Sequence, residues 1–413
     1  MKRILCALLS GAVIIGSLAG CGADKETSAG GKKKITFVTN KTDIVDTTLR
    51  DYADKFEKEN PGIVVELEAV SDYYRVLQTR AAAGEMPDVS FLIAALKSDS
   101  WQDYYMPLDD IGISDDLYFK DTYSYNGHLY AIPFQMNYSG VVYNKKVFEK
   151  AEITEVPKTL DELYDACEKI KAIGVVPTTP ILKSTGTVGQ YVEYLAPMYG
   201  KADYQSDIVG KENPFTINSP VGKALTVLRT LYDRGYFEED LLSYTPDGMK
   251  KDLASGKLGW EFSQTWLVPQ VISNGGNSDN IGFFPMPYDN SGTVKTLLKP
   301  DWRLTIAKDT KQPEAAKTFL KYVMDTDYEE FLRVCGGAIS SRPSKTFNLI
   351  PQFAEFEEYK PEKVECVVDP DDLKAVFNKA QIKWDDMAHD AILMDSVEAC
   401  LDKYNKLWNG SLK

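Results

Sequence analysis

Residues that carry out metal and redox chemistry are scarce in this 413-residue sequence. It contains two histidines, His128 and His389, and it lacks the HExxH, GxSxG and CxxC patterns and the phosphate-binding P-loop. With 61 Asp and Glu residues, some carboxyl pair would suit a glycosidase on paper, so acidic residues alone do not indicate hydrolysis. The sequence therefore predicts no enzyme activity, no cofactor and no metal site.

Positive charge is also in the minority. The chain has 47 Lys and Arg residues and a formal net charge of −14. This excess of negative charge argues against nucleic acid, or an anionic membrane surface, as the main partner, and it favours solubility. Beyond the first 20 residues no apolar run is long enough to span a membrane. At about 150 residues per domain, the length predicts two or three domains.

Cysteine is sparse, and no zinc-site spacing occurs. Two of the six cysteines lie in the N-terminal leader region, and the other four are scattered. These four are Cys167, Cys335, Cys366 and Cys400. Two disulfides are possible, but a core of this size favours buried free thiols.

The N-terminus has the order of a cleavable export signal. Lys2 and Arg3 precede an apolar stretch at residues 4–16. Residues 18–21, leucine-alanine-glycine-cysteine, resemble the lipobox of bacterial lipoproteins, whose cysteine is acylated; an ordinary signal with a chance cysteine is the alternative. The resemblance implies a signal peptide at 1–20, a lipid on Cys21 and a flexible tether at 21–34. The protein would then lie at the outer face of the bacterial cytoplasmic membrane.

The first third of the mature chain alternates between strand and helix patterns. Strands are predicted at 35–39, 63–70 and 87–92, with helices at 46–60 and 72–83 between them. This order predicts a parallel sheet covered by helices, with ligands at the carboxyl ends of its strands. That rule nominates Asn40, Thr42 and Asp43, after the first strand, although a capped turn explains the last two equally well.

Residues 127–148 are the most informative stretch. Two β-like runs, 129–134 and 140–143, flank a polar centre that includes Asn137 and Tyr138, and Pro133 argues against one uninterrupted strand. The stretch resembles the interdomain crossing of extracellular solute-binding proteins of carbohydrate ABC importers, the family that includes maltose-binding protein. In that family a tyrosine-asparagine pair, here residues 143–144, precedes a short helix and a second helix led by proline.

The resemblance implies a two-lobed α/β fold, each lobe a mostly parallel sheet flanked by helices, with a cleft and hinge between them. Residues 282–287 and 335–343 resemble the second and third crossings. The first lobe would comprise residues 35–135 and 286–345, and the second residues 136–285 and 346–413. A capping box at residues 159–162 and a serine-proline pair at 219–220 predict second-lobe helices. The last long helix is predicted from about residue 384 to 407.

The resemblance also implies where a sugar would bind. In the family a tryptophan after a second-lobe strand stacks on sugar, and Trp266 matches it. The triplet at residues 301–303 precedes a predicted strand, with a surface ion pair as its alternative. Near the end of the chain, Trp384 matches a sugar-stacking tryptophan of maltose-binding protein, with core packing equally plausible. The candidate sugar contacts are Asn40, Thr42, Asp43, Asn137, Tyr138, Gln264, Trp266, Asp301, Trp302, Arg303 and Trp384.

By resemblance, the protein captures a mono- or oligosaccharide by lobe closure and delivers it to the membrane permease of an ABC importer. It would act as a monomer held at the membrane through its lipid. Two alternatives remain: a binding protein for another solute, such as a polyamine or peptide, and a surface glycoside hydrolase. Clustered aspartates at 369–372 hint at calcium, but helix capping explains them better.

Overall fold

A computed structural model describes residues 31–42, 44–70, 72–183, 187–200, 203–242, 244–335, 337, 339–345, 347, 351–365 and 370–412. The predicted signal peptide, the predicted lipidation site Cys21, and the residues Asp43 and Cys366 lie outside the described residues. Within the described ranges, no helix has both the length and the apolar character needed to cross a membrane.

The described residues form a mixed α/β structure. The strands are β1 Lys33–Thr39, β2 Ile63–Ala69, β3 Val89–Phe91, β4 Ser124–Tyr125, β5 His128–Leu129, β6 Ile132–Asn144, β7 Trp260–Gln264, β8 Ile281–Phe284, β9 Lys295–Ile306, β10 Ile339–Ser340 and β11 Glu362–Glu365. The helices are α1 Thr48–Glu59, α2 Tyr73–Ala83, α3 Trp101–Tyr104, α4 Lys145–Lys150, α5 Leu160–Ala172, α6 Gln190–Tyr199, α7 Tyr204–Asp207, α8 Pro220–Asp233, α9 Pro246–Ser255, α10 Leu267–Ser273, α11 Pro313–Lys321, α12 Tyr328–Val334, α13 Pro351–Glu358, α14 Asp371–Ala380, α15 Trp384–Leu393 and α16 Val397–Ser411.

Local capping explains where several helices begin. Thr159 accepts a hydrogen bond from the N–H of Glu162, whose carboxylate accepts one from the N–H of Thr159, so the predicted capping box of α5 is confirmed. Ser219 caps α8 as predicted. The prediction of a single long helix from residue 384 is wrong. Helix α15 ends at Leu393, and Ser396 caps a separate helix, α16.

The first sheet confirms the predicted β-α-β-α-β order. Its strands lie in the order β2-β1-β3-β9-β6-β10, and β1 pairs in parallel with both β2 and β3. The pattern did not reveal that β9, from much later in the chain, pairs antiparallel with β3 and completes the sheet. Asp88, expected to be structural, accepts a hydrogen bond from the N–H of Thr36 at 2.8 Å and ties the end of one strand to its neighbour.

The crossing stretch is one continuous strand, so the prediction of two runs separated by a gap is wrong. The first half of β6 pairs with β9 from Ile132 to Tyr138, and the pairing with β7 begins at the next residue, Ser139. The ladder therefore passes from one lobe to the other without a break. At Pro133, β9 is the only described strand paired with β6, and a proline is tolerated where one edge of a strand lacks a partner.

The second lobe is organised around the other half of β6. Strands β7 and β8 pair antiparallel with its two edges, and β11 pairs in parallel with β9. Gly140 is required in this packed region, because a Cβ there would lie 2.7 Å from the Phe284 carbonyl oxygen.

Two hydrophobic cores define the lobes, and a third buried cluster contains Met136, Tyr138 and Val142 of β6. The first-lobe core includes Phe37, Phe56, Phe91 and Phe319, and the second-lobe core includes Leu195, Leu228 and Trp260. The expectation that Trp260 packs in the core is confirmed, since it is fully buried. The thiols of Cys167 and Cys400 are buried in the second-lobe core, whereas Cys335 is buried in the first.

The cores also locate the crossings. Along β6, Phe134 packs in the first-lobe core and Val141 in the second; along β9, Leu297 packs in the second and Leu304 in the first. Along β9, the change from second-lobe to first-lobe packing therefore falls between Leu297 and Leu304. The third crossing contributes β10, whose Ile339 pairs with Met136.

Candidate functional site

A cavity of about 950 Å³ lies between the lobes. We name this cavity the main compartment. The first lobe contributes the carboxyl end of β3, helix α3 and the loop that follows it. The second lobe contributes the end of β7, the first turns of α6 and the start of α14. Six aromatic side chains line it: Tyr74, Trp101, Phe119, Tyr123, Tyr194 and Trp266.

A second cavity of about 660 Å³, the side compartment, adjoins the main one. Trp266 and Asp301 line both cavities, so they stand between the compartments. The other side-compartment residues include four amides, two lysines and one tryptophan: Asn40, Gln135, Gln270, Asn274, Lys41, Lys250 and Trp302. The remaining lining residues are Ile44, Pro269, Ser273, Val334 and Cys335.

Trp266 is placed by the strand before it and the helix after it. It is the N-cap residue of α10, two positions beyond the end of β7, and its side chain is half-buried. Gln264 ends β7 and lines the main compartment; its amide nitrogen is buried without a hydrogen-bond partner in the described structure. Gln264 and Trp266 therefore lie on the cleft wall, where the sequence placed them.

Asp301 is held by donors from the crossing strand. Its Oδ2 accepts hydrogen bonds from the side-chain amides of Gln135, at 3.0 Å, and Asn137, at 3.1 Å, and its Oδ1 accepts the N–H of Trp302 at 2.9 Å. Asn137 accepts in turn from the Thr265 hydroxyl at 2.8 Å. These bonds fix the carboxylate at the boundary of the two compartments, so Asn137, which lines neither of them, acts by positioning Asp301.

Trp302 lies inside β9 rather than in a loop before a strand, which corrects the sequence prediction. Its φ of 42° is left-handed, a strained value for a bulky residue in a strand. The ring stacks on Phe91 and Phe134, with centroid distances of 5.1 and 5.7 Å, and the Lys41 ammonium lies 4.2 Å from its centroid. Trp302 therefore packs against the first-lobe core and also lines the side compartment.

Arg303 supplies positive charge to the main compartment. Its guanidinium carbon lies 5.7 Å from the ring centroid of Tyr123, and its Nε is buried without a partner in the described structure. Burial raises the pKa of the Tyr74 and Tyr123 hydroxyls, although Arg303 and Lys299 act in the opposite direction. Both phenols are therefore neutral at physiological pH and can donate hydrogen bonds into the cavity.

Several buried polar atoms of the lining residues have no hydrogen-bond partner within the described ranges. Trp101 Nε1, Gln264 Nε2 and Arg303 Nε belong to the main compartment, and Asn40 Oδ1 and Gln135 Oε1 to the side compartment. Buried groups of this kind normally bind water or a ligand. Unpaired donors and acceptors beside aromatic faces suit a molecule with apolar C–H faces and a rim of hydroxyls.

Three of the other predicted contacts do not line either compartment. Thr42 is exposed in the loop after β1. Tyr138 is buried, with its ring stacked 5.2 Å from Phe356, and Trp384 is buried 4.6 Å from Phe377. For Trp384 the packing agrees with the core alternative rather than with sugar stacking, and we omit these three residues from the proposed site.

Sequence reasoning missed most of the aromatic wall. Tyr74, Trp101 and Tyr123 come from segments without a recognisable binding motif, and Tyr194 lies on α6 at a position that reads as core. Tyr194 is 5% exposed, so only its placement beside the cleft distinguishes it from other buried tyrosines.

The buried acids with the most perturbed pKa lie elsewhere. Burial raises the pKa of Glu261, as does the neighbouring Glu238, and burial also raises the pKa of Glu238. Both are buried in the second lobe and neither lines a compartment. Among the described residues no group of three or more His, Cys, Asp or Glu side chains could hold a metal ion.

Comparison with known proteins agrees with this architecture. The chain is 25% identical over 315 residues to the multiple sugar-binding protein of Streptococcus mutans, covering 74% of each chain. It is 24% identical over 368 residues to the diacetylchitobiose-binding protein of Streptomyces coelicolor, covering 84% of each.

A solved structure with the same fold is the mannobiose-bound binding protein of an ABC transporter from Bifidobacterium animalis subsp. lactis. Its TM-score is 0.78 at 23% identity, with 92% of this chain and 95% of that chain covered. This similarity confirms the two-lobed α/β fold. Residues 40–330 match the family model described as bacterial extracellular solute-binding protein. The chain therefore belongs to the bacterial extracellular solute-binding protein family.

Proposed function

We propose that this protein binds an oligosaccharide between its lobes and delivers it to the permease of an ABC importer. The observation that carries the proposal is the shared wall of Trp266 and Asp301, which joins an aromatic compartment to an amide-lined one. Aromatic rings cover the apolar faces of pyranoses, while amides, carboxylates and arginine pair with their hydroxyls. The sugar-binding relatives support this assignment over a polyamine or peptide ligand.

A thermal-shift screen tests the ligand class. Mannobiose, mannotriose, raffinose, stachyose, maltotriose and diacetylchitobiose would be compared with glucose, spermidine and a tripeptide. A ligand at 100 times its Kd adds about 2.7 kcal/mol to the free energy of unfolding. We expect the largest rise in melting temperature with an oligosaccharide. A larger rise with spermidine or the tripeptide would instead assign the cleft to that solute.

The proposed role is binding without catalysis. The two buried acids whose pKa is raised, Glu238 and Glu261, do not line the cleft, and the relatives in the comparison are sugar-binding proteins. After prolonged incubation of the protein with the best-binding saccharide, chromatography should recover that saccharide intact. Appearance of shorter products, absent with heat-denatured protein, would support a hydrolase.

Export and anchoring form the second part of the proposal. The sequence at residues 18–21 supports acylation of Cys21 and attachment to the outer face of the cytoplasmic membrane. Cys21→Ala should release the protein from the membrane fraction or block its processing, whereas Cys6→Ala should do neither. Full membrane retention of the Cys21 variant, at unchanged mobility, would refute the anchor.

Lobe closure is the third part. We propose domain boundaries at the crossings, with the hinge in residues 135–139 of β6 and in the return within β9. Small-angle scattering should give a smaller radius of gyration with saturating saccharide than without it. Identical profiles would indicate a rigid cleft.

A further inference from the structure

The rim of the main compartment carries hydrogen bonds that join the two lobes directly. The backbone N–H and the hydroxyl of Ser98 both donate to Oδ2 of Asp371, each at 2.8 Å. Lys374 donates from its ammonium to the carbonyl oxygen of Ala94 at 3.3 Å, and the same ammonium lies 3.7 Å from Oδ1 of Asp371. One carboxylate and one lysine on α14 thus hold the loop after β3.

These contacts join different hydrophobic cores. Leu92 and Ile93, just before the loop, are buried in the first-lobe core. Leu373 and Phe377, on α14, are buried in the second-lobe core. Each partner is therefore fixed to its own lobe, and separating the lobes at this rim has to break the bonds between them.

The same residues form part of the cavity wall. Ala94, Ser98, Asp371 and Lys374 all line the main compartment. The bonds therefore cross the cleft at the wall of the proposed ligand chamber.

Their strength suits a contact that has to break in every transport cycle. Two donors on one carboxylate oxygen make charge-assisted hydrogen bonds, which are stronger than neutral ones. The side chains of Asp371 and Lys374 are 34% and 33% exposed, so water screens the interaction. The contact therefore favours the closed form without making it permanent.

We propose that Ser98 and Asp371 form a latch that holds the closed lobes together and slows release of the bound saccharide, with Lys374 positioning the carboxylate. This inference rests on the proposed function and adds to it: the latch sets residence time through contact between the lobes. Lobe opening at the permease would then require this contact to be broken.

Release kinetics of the saccharide with the highest affinity in the thermal-shift screen test the latch. Loss of a hydrogen bond to a charged, half-exposed group should make release about tenfold faster in Asp371→Ala, with a smaller change in the association rate. Ser98→Ala keeps its N–H donor and should release about threefold faster. The double variant should match Asp371→Ala within about twofold, because both changes remove the same contact.

Asp99→Ala and Ser100→Ala are the matched controls. Both lie in the same turn as Ser98; Asp99 is exposed, and the Ser100 hydroxyl donates to the Lys97 carbonyl within its own lobe. They should release saccharide at the wild-type rate. Wild-type release by Asp371→Ala, or a double variant whose effect is the product of the single effects, would overturn the latch.

A cross-link separates failure of the latch from failure of the proposed function. In Ser98→Cys with Asp371→Cys, oxidation should join the lobes, and the cross-linked protein should retain a saccharide bound beforehand. The cross-link can be detected without any saccharide. It therefore tests the contact between Ser98 and Asp371 even if no saccharide changes the melting temperature. Failure to cross-link, in the presence and absence of saccharide, would overturn the latch alone.

Discussion

The two compartments of the cleft offer a ligand different surfaces. The main compartment has six aromatic side chains on its wall, whereas the side compartment has two, Trp266 and Trp302, together with four amides and two lysines. Aromatic faces contribute binding energy through burial of apolar surface, and amides contribute mainly orientation and selection among hydroxyl patterns. We therefore expect the main compartment to set affinity and the side compartment to set which oligosaccharides fit.

The largest effect on binding is expected from the residue that serves both compartments. Trp266→Ala removes a half-buried ring from the shared wall. A stacked aromatic of this kind commonly contributes 2 kcal/mol or more, so affinity measured by calorimetry should fall about thirtyfold or more. The melting temperature of the saccharide-free protein should change little, because Trp266 lies at the edge of the core.

Trp260→Ala is the matched control, since Trp260 begins the strand that leads to Trp266 but is fully buried. It should cost about 3–5 kcal/mol of stability. If Trp266→Ala melts early and its folded fraction binds normally, Trp266 is a core residue and the shared wall does not bind ligand.

Trp302→Ala should affect stability and binding together, unlike Trp266→Ala. Its ring stacks on Phe91 and Phe134, and aromatic pairs contribute about 0.5–1.5 kcal/mol each beyond their buried area. Urea unfolding should therefore show a loss of about 1–3 kcal/mol. Trp302→Phe, which keeps a stacked ring, should recover most of that stability. Unchanged stability in Trp302→Ala would show that its ring serves the ligand alone.

Single polar side chains should have smaller and more selective effects. Gln264→Ala, in the main compartment, and Asn40→Ala, in the side compartment, each remove one hydrogen-bonding group, worth about 0.5–1.5 kcal/mol or two- to tenfold in affinity. A long oligosaccharide that extends from the main compartment into the side compartment would contact both residues. Asn40→Ala should then weaken the binding of stachyose but not of mannobiose, whereas Gln264→Ala should weaken the binding of both. Equal losses for both saccharides in Asn40→Ala would contradict this division.

The smallest effect on affinity is expected behind the main compartment, at Glu261 in β7. Because burial raises its pKa above that of an unfolded glutamate, about 4.3, its contribution to stability is fully present below that pH and is lost as pH rises through the folded pKa. Glu261→Gln should therefore flatten the fall in the free energy of unfolding with pH, and stabilise the protein at pH 7. Its saccharide affinity should stay within about twofold of wild type. An unchanged pH dependence would mean that Glu261 is ionised in the folded protein.

The sequence predicted the parts of the fold that depend on local pattern. The first β-α-β-α-β segment, the capping box at Thr159 and the Ser219 cap follow from residues close together in the chain. It could not reveal that β9 completes the first sheet, because the pairing of Phe91 with Leu304 joins residues more than two hundred positions apart. Pro133 led to the wrong prediction of an interrupted strand for the same reason. Whether a strand tolerates a proline depends on which strands lie beside it.

The candidate site was predictable where a strand ends at the cleft. Gln264 and Trp266 follow β7, and both line the main compartment. Tyr138 and Trp384 show the limit of this reasoning, because an aromatic residue at a crossing or helix start has the same sequence pattern whether its ring faces a core or a cavity. The latch residues had no signal either, because a serine in a turn and an aspartate in the first turn of a helix are common in any α/β protein.

The position of β9 late in the sequence has a consequence for folding during export. During emergence from a membrane channel, residues 33–144 appear long before β9, which pairs with both β3 and β6. Until residue 306 has emerged, the edge of β3 and the first-lobe ends of β6 lack their partner, and such open edges promote association between chains. If the protein is exported as proposed, it therefore passes through a stage in which the strands of residues 33–144 need protection from other copies of the chain.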